Sequence, residues 1–129
     1  GALIIGFLAG SICYFATITL KQKLKIDDSL DVFPVHGVGG ILGTFLAGVF
    51  SATSLGVFSG FGFADGIETM GGQVSVQLVG IVATILFTAV MTWVILKVTS
   101  ILTSGLRVTE EQEIQGLDIH MHEERGYDL

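Results

Sequence analysis

His36 is the residue of this sequence whose type and setting most clearly imply chemistry. From Val32 to Ala64 there is no Lys, Arg, Asp or Glu, and the imidazole is the only ionisable group in that stretch. An ionisable side chain inside an apolar membrane span is costly, and such residues face a bundle interior or a conduction path. The surrounding run is Asp31-Val32-Phe33-Pro34-Val35-His36-Gly37-Val38-Gly39-Gly40, whose glycines let another backbone or a small substrate come close. A buried imidazole among apolar neighbours resists charging, so it is expected to be neutral and able to exchange a proton with a passing group. The plainer alternative, one interhelical hydrogen bond and nothing more, stays open beside it. No second His, Cys or carboxylate lies within a turn, so no metal ligand is assigned.

The elements that must hold this histidine are membrane helices. Half of the 129 residues are hydrophobic and 14% are charged, and the mean hydropathy is +0.76. That composition excludes an ordinary soluble domain. Glycine occurs 18 times and proline once, which suits closely packed membrane helices. Nothing points to nucleic acid or to a cofactor. The net charge of -6 is concentrated in the tail, where Glu110, Glu111, Glu113, Asp118, Glu123, Glu124 and Asp128 outnumber Arg107 and Arg125. The lone Cys13 excludes an internal disulfide and reads as a small packing residue. The chain opens inside a hydrophobic stretch with no basic leader or cleavage site. The expectation is therefore the C-terminal piece of a longer membrane protein, not a signal peptide.

Three helical spans are expected, at about 1–20, 31–50 and 70–104, together forming a membrane region over 1–104. Each crosses a hydrocarbon core of roughly 30 Å at about 1.5 Å per residue. The third is longer than needed and should tilt or project on the Lys97 side. Lys21, Lys23 and Lys25 lie in the first connection, whereas the second, about 51–69, holds Asp65 and Glu68 without a basic residue. The positive-inside rule then places the lysine-rich connection and the tail, 105–129, in the cytoplasm. Trp93, a turn before Lys97, would mark the same interface. Residues 51–54 and the glycines after them read equally as an outer vestibule or an ordinary loop.

Local signals mark the helix ends. Asp31 is expected to cap the second span, with Pro34 in its first turn; Asp27, Asp28 and Ser29 offer alternative starts. Gly105 is a stop for the third span. Thr109-Glu110-Glu111-Gln112 reads as a capping box opening a short helix that Gly116 closes, and Asp118 comes just after it. On a regular helix His36, Gly39 or Gly40, Gly43 and Ala47 share a face, and Gly39 and Gly43 form a small-xxx-small pair for close packing. His120 and His122 suggest a metal pair less than a solvated polar tail.

Three strings then carry a resemblance. The run from Asp27 to Thr44 closely resembles a late-span signature of the ammonium transporter and Rhesus family. Gly105 to Glu113, with Gly116-Leu117-Asp118 and His122 after it, resembles its C-terminal region, and Gly62 to Gly66 its last outer loop. The resemblance implies an all-α integral membrane protein, the C-terminal part of an eleven-helix ammonium transporter fold, here helices nine to eleven. It implies a trimer with a pore in each subunit, in the plasma or cytoplasmic membrane, serving nitrogen uptake rather than catalysis. His36 then corresponds to the second member of a twin-histidine pair and Val32 to an apolar pore-lining residue, the first histidine lying in N-terminal helices outside this chain. The tail, with Gly105, Arg107, Thr109, Gly116 and Asp118, corresponds to a regulatory region, and a PII-type signalling protein is the implied partner. His120 departs from relatives that carry a phosphorylatable Thr there. A sensor of the same fold, signalling through the tail, is the alternative function.

Overall fold

Long apolar runs without an interior proline become long helices, because every backbone group is then satisfied within its own segment. The computed structural model describes residues 1–103, 105–124 and 126. Arg125, Asp128 and the expected span end at 104 lie outside the described residues. Helix α1 is Ala2–Ile18, prolonged by a π-helical turn at Thr19–Lys23. A second π-helical segment, Phe33–Val38, leads into α2, Gly39–Phe50. Helix α3 spans Met70–Leu102, and two short helices come after it, α4 at Glu110–Gln115 and α5 at Leu117–His122. There is no strand among the described residues.

The continuous helices Ala2–Lys23, Phe33–Phe50 and Met70–Leu102 are each long and apolar enough to cross a membrane. The first runs three residues beyond the expected end at 20, because its last turn widens into a π turn instead of stopping. A surface of large apolar residues covers all three. Phe7, Phe15, Val79, Leu86, Phe87 and Val90 are all well exposed. Helices apolar all round belong in hydrocarbon or inside a larger bundle, not in water.

The chain divides into two compact units, Gly1–Ile85 and Leu86–Leu129. In the first, α1 packs on both the π-helical segment and α2. The buried residues among those described sit at helix ends: Leu20 and Pro34 flank the first connection, and Gly48, Ala52 and Gln73 flank the second. The second connection is an ordered turn. Gly60 N–H donates to Ala52 O at 3.0 Å and Gly62 N–H to Ser51 O at 2.8 Å. A Cβ on Gly60 would lie 2.3 Å from Phe50 O, so only glycine fits. The buried Gln73 side chain accepts from Ala64 N–H at 2.9 Å, fastening this turn to the start of α3.

In the second unit the tail obeys its local sequence. Gly105 adopts φ +143° and donates to Ser100 O at 3.1 Å, closing the end of α3. Thr109 caps α4 with both hydrogen bonds of the capping box. Its hydroxyl accepts from Gln112 N–H at 3.3 Å, and its own N–H donates to Gln112 Oε1 at 3.0 Å.

Candidate functional site

The π-helical segment Phe33–Val38 carries His36. Regular α pitch would have aligned His36 with Gly39, Gly43 and Ala47. A π turn bonds i to i+5 and is wider, so that stripe is broken between His36 and Gly39. The expected face therefore divides. A Cβ on Gly39 would meet Cys13 Sγ at 3.1 Å, whereas Gly40 and Gly43 have nothing within 4 Å among the described residues. Cys13 does act as a small packing residue, seated over Gly39. A second tight contact of α2 lies at Gly48, where a Cβ would come within 2.7 Å of Gln77 Cγ.

His36 is exposed in this chain, as is Val32, one turn earlier. The expectation of a buried imidazole is not met by these residues alone. Helix α1 covers the Cys13 and Gly39 side. No hydrogen bond to the His36 side chain is present among the described residues. On the same segment the Phe33 ring takes the space of an absent side chain at Gly37, where a Cβ would lie 3.1 Å from Phe33 Cδ2.

The cap of this segment is Asp28, not Asp31. Asp28 Oδ1 accepts from Val32 N–H at 2.9 Å and Oδ2 from Phe33 N–H at 2.8 Å. These two bonds, that to Phe33 first, hold the Asp28 carboxyl below its usual range, helped by the charge of Lys21. Asp31 is displaced from the capping position by its own backbone, which adopts φ +56°. Its carbonyl accepts from Val35 N–H at 3.0 Å, and its carboxylate pairs with Lys21 Nζ at 2.7 Å. That contact is an ion pair, not an aligned hydrogen bond. In the sequence Lys21 stands out only as a marker of orientation. The signal that could have found the pair is one cation and one anion at opposite ends of a short connection.

The site residues thus fall into two groups. Asp31, Val32, His36 and Gly39 come together at one end of the first unit, with Asp28 and Lys21 added to them. Gly40 and Gly43 lie further along α2, where a Cβ would meet nothing within 4 Å among the described residues. Gly105, Arg107, Thr109, Gly116 and Asp118 lie in the second unit. Arg107 pairs with Glu113 at 3.7 Å, and Gly116 joins α4 to α5 at φ +91°. Asp118 supports the end of α5 through its main chain, its carbonyl accepting from Glu124 N–H at 3.0 Å. No cluster of metal-ligating side chains occurs among the described residues.

Known proteins share this arrangement of residues along the whole chain. The profile of the Ammonium Transporter Family matches residues 1–127. An ammonium transporter of Bacillus subtilis is 38% identical over 98% of this chain. A putative ammonium transporter of Methanothermobacter thermautotrophicus is 44% identical over 99% of it, and an ammonium transporter of Aquifex aeolicus 41% identical over all of it. The chain spans about 30% of the length of these curated relatives. With a matching profile from end to end and three helices able to cross a membrane, the chain is a membrane protein and belongs to the ammonium transporter family.

Proposed function

We propose that the full-length protein moves ammonium across a membrane, with ammonia crossing a narrow apolar path lined in part by Val32 and His36. The observation that carries this reading is the setting of His36. It lies in a π-helical turn, within a charge-free stretch, with no side-chain partner among the described residues. π turns inside α-helices are frequent at functional sites. A side chain left open there is available to a substrate or to a second histidine from the rest of the protein. A desolvated cation is costly in such a path, while neutral ammonia is not. The cation is therefore deprotonated before it crosses, and the imidazole holds the intermediate or relays the proton. The relatives' names support ammonium as the substrate.

The wider assembly rests on the family resemblance: a homotrimer, a cytoplasmic tail from Gly105 onward, and a PII-type protein docking on the cytoplasmic face near Lys21, Lys23 and Lys25. The test is His36→Ala in the full-length protein, reconstituted in vesicles. Ammonium-dependent current is expected to fall or discrimination against potassium to fail, with insertion and assembly unchanged. Unaltered current and unaltered discrimination would sink the proposal. Ammonium binding with no flux in the parent protein would instead make it a sensor.

A further inference from the structure

We infer that the ion pair between Lys21 and Asp31 is a positioning device for His36, tying the histidine-bearing segment to the end of the preceding helix. This rests on the reading of His36 as the conducting residue. The two π-helical segments among the described residues lie on either side of one short connection, Thr19–Lys23 before it and Phe33–Val38 after it. Lys21 sits inside the first, and Asp31 lies two residues before the second. Their side chains meet at 2.7 Å and are only 39% and 34% exposed, so the contact is partly shielded from water.

The connection from this pair to the histidine is short and made of backbone. Asp31 holds φ +56°, a left-handed conformation that L residues adopt rarely and Asp tolerates. In that conformation its carbonyl receives Val35 N–H at 3.0 Å, the residue before His36. Its side chain at the same time reaches Lys21. Asp28, from the other side, takes the amides of Val32 and Phe33. The segment is therefore gripped at its base by the Asp28 carboxylate and the Asp31 carbonyl, and the Asp31 side chain ties it to the preceding helix. Loss of the Lys21 contact leaves a strained Asp31 held by its backbone bonds to Asp28 and Val35. Any relaxation passes through the Asp31–Val35 hydrogen bond to His36. An exposed ion pair of no consequence would be ordinary here; the left-handed backbone bonded directly into the π segment makes this one different.

The experiment uses full-length protein bearing Lys21→Gln, Asp31→Asn, both together, or Lys21→Arg. Asparagine keeps the shape of Asp31 and its tolerance for positive φ, so only the charge is lost. Two quantities are read: the maximal ammonium flux with its half-saturating concentration, and the NMR shift of the His36 imidazole, assigned through His36→Gln. Both single variants should lower maximal flux several-fold at an unchanged half-saturating concentration and move the His36 signal alike. The double variant should be no worse than either single, and Lys21→Arg should restore the parent values. An unmoved imidazole signal in both single variants overturns the inference, as does a fall in melting temperature with flux per folded protein intact. The imidazole shift does not depend on transport. A displaced signal in a protein whose His36→Ala variant still conducts would therefore reject the conduction reading and leave the positioning intact.

Discussion

Polar side chains close three helix starts among the described residues, at Thr109, Asp28 and Thr69, and the first two of these are built differently. At Thr109 the hydroxyl and the Gln112 side chain satisfy each other's amides within three residues, and they open a regular α-helix. At Asp28 the carboxylate reaches four and five residues ahead, and the helix it opens begins as a π turn containing a proline. The first start is complete in itself. The second needs Lys21, contributed by the preceding helix, to hold Asp31 beside it. A start closed locally is robust and separable. One closed by a partner transmits what happens to that partner, which suits the role proposed for His36.

The largest effect expected from breaking this contrast is at Asp28. Asp28→Ala strips the acceptors from two amides just before Pro34, which has no amide to help nucleate the turn. Full-length protein with this change should melt lower than the parent and lose most of its ammonium flux. Parent-like melting and flux together would show that the cap is dispensable. Gly116→Asp comes next. At φ +91° and ψ 134° the backbone lies in territory that is essentially reserved for glycine. A side chain there costs on the order of 1–3 kcal/mol. The α4–α5 junction should open, seen as faster amide exchange from 110 to 122, with the three long helices unaffected. Flux should fall only in so far as tail docking favours one pore state over another. Mixed assemblies with the parent read that coupling, and full flux from pure mutant protein would make the tail a passive extension. Thr109→Ala is smaller still, about 1 kcal/mol, confined to α4. Exchange should quicken at Gln112 and Glu113 while flux and melting of the assembly stay as they were.

The same contrast governs what could be read from the sequence. The Thr109 box, the Gly105 stop and the Gly116 break were legible because each depends on residues within one turn. The three long helices were legible from unbroken apolar runs. Asp28 and Asp31 could not be told apart that way, since the choice rests on the path of the connection. A φ of +56° swings Asp31 out of the capping position, and sequence pattern carries no sign of it. The π turns were invisible for a related reason. Helical stripes assume a constant 3.6-residue pitch, and the line from His36 to Gly43 fails where that pitch changes. The long strings around His36 and in the tail gave the family, whereas the cover over His36 and Gly43 was not legible. Among the described residues a Cβ on Gly43 would meet nothing within 4 Å and His36 is exposed, and the relatives are about three times as long.

The smallest effect separates the two caps by their chemistry rather than by their geometry. The Thr109 hydroxyl does not titrate, but Asp28 caps as a carboxylate. Its carboxyl is held below the ordinary carboxylate range by the amides of Phe33 and Val32, with Lys21 adding to the effect. A carboxyl with a depressed folded-state pKa contributes stability that is complete above its unfolded value. That contribution is lost as pH falls through the folded-state value. Asp28→Asn removes the charge while leaving one oxygen to accept. The parent should therefore melt above this variant near neutral pH, and the gap should close as the solution is taken below the ordinary carboxylate range. The difference will be modest, because Asp28 is open to solvent and its electrostatic advantage is screened. Thr109→Ala should show no such closure, its deficit staying level over the same acid range. A gap at Asp28 that stays constant down to low pH would mean the cap works by shape alone, and the two helix starts would then differ only in how far their partners lie along the chain.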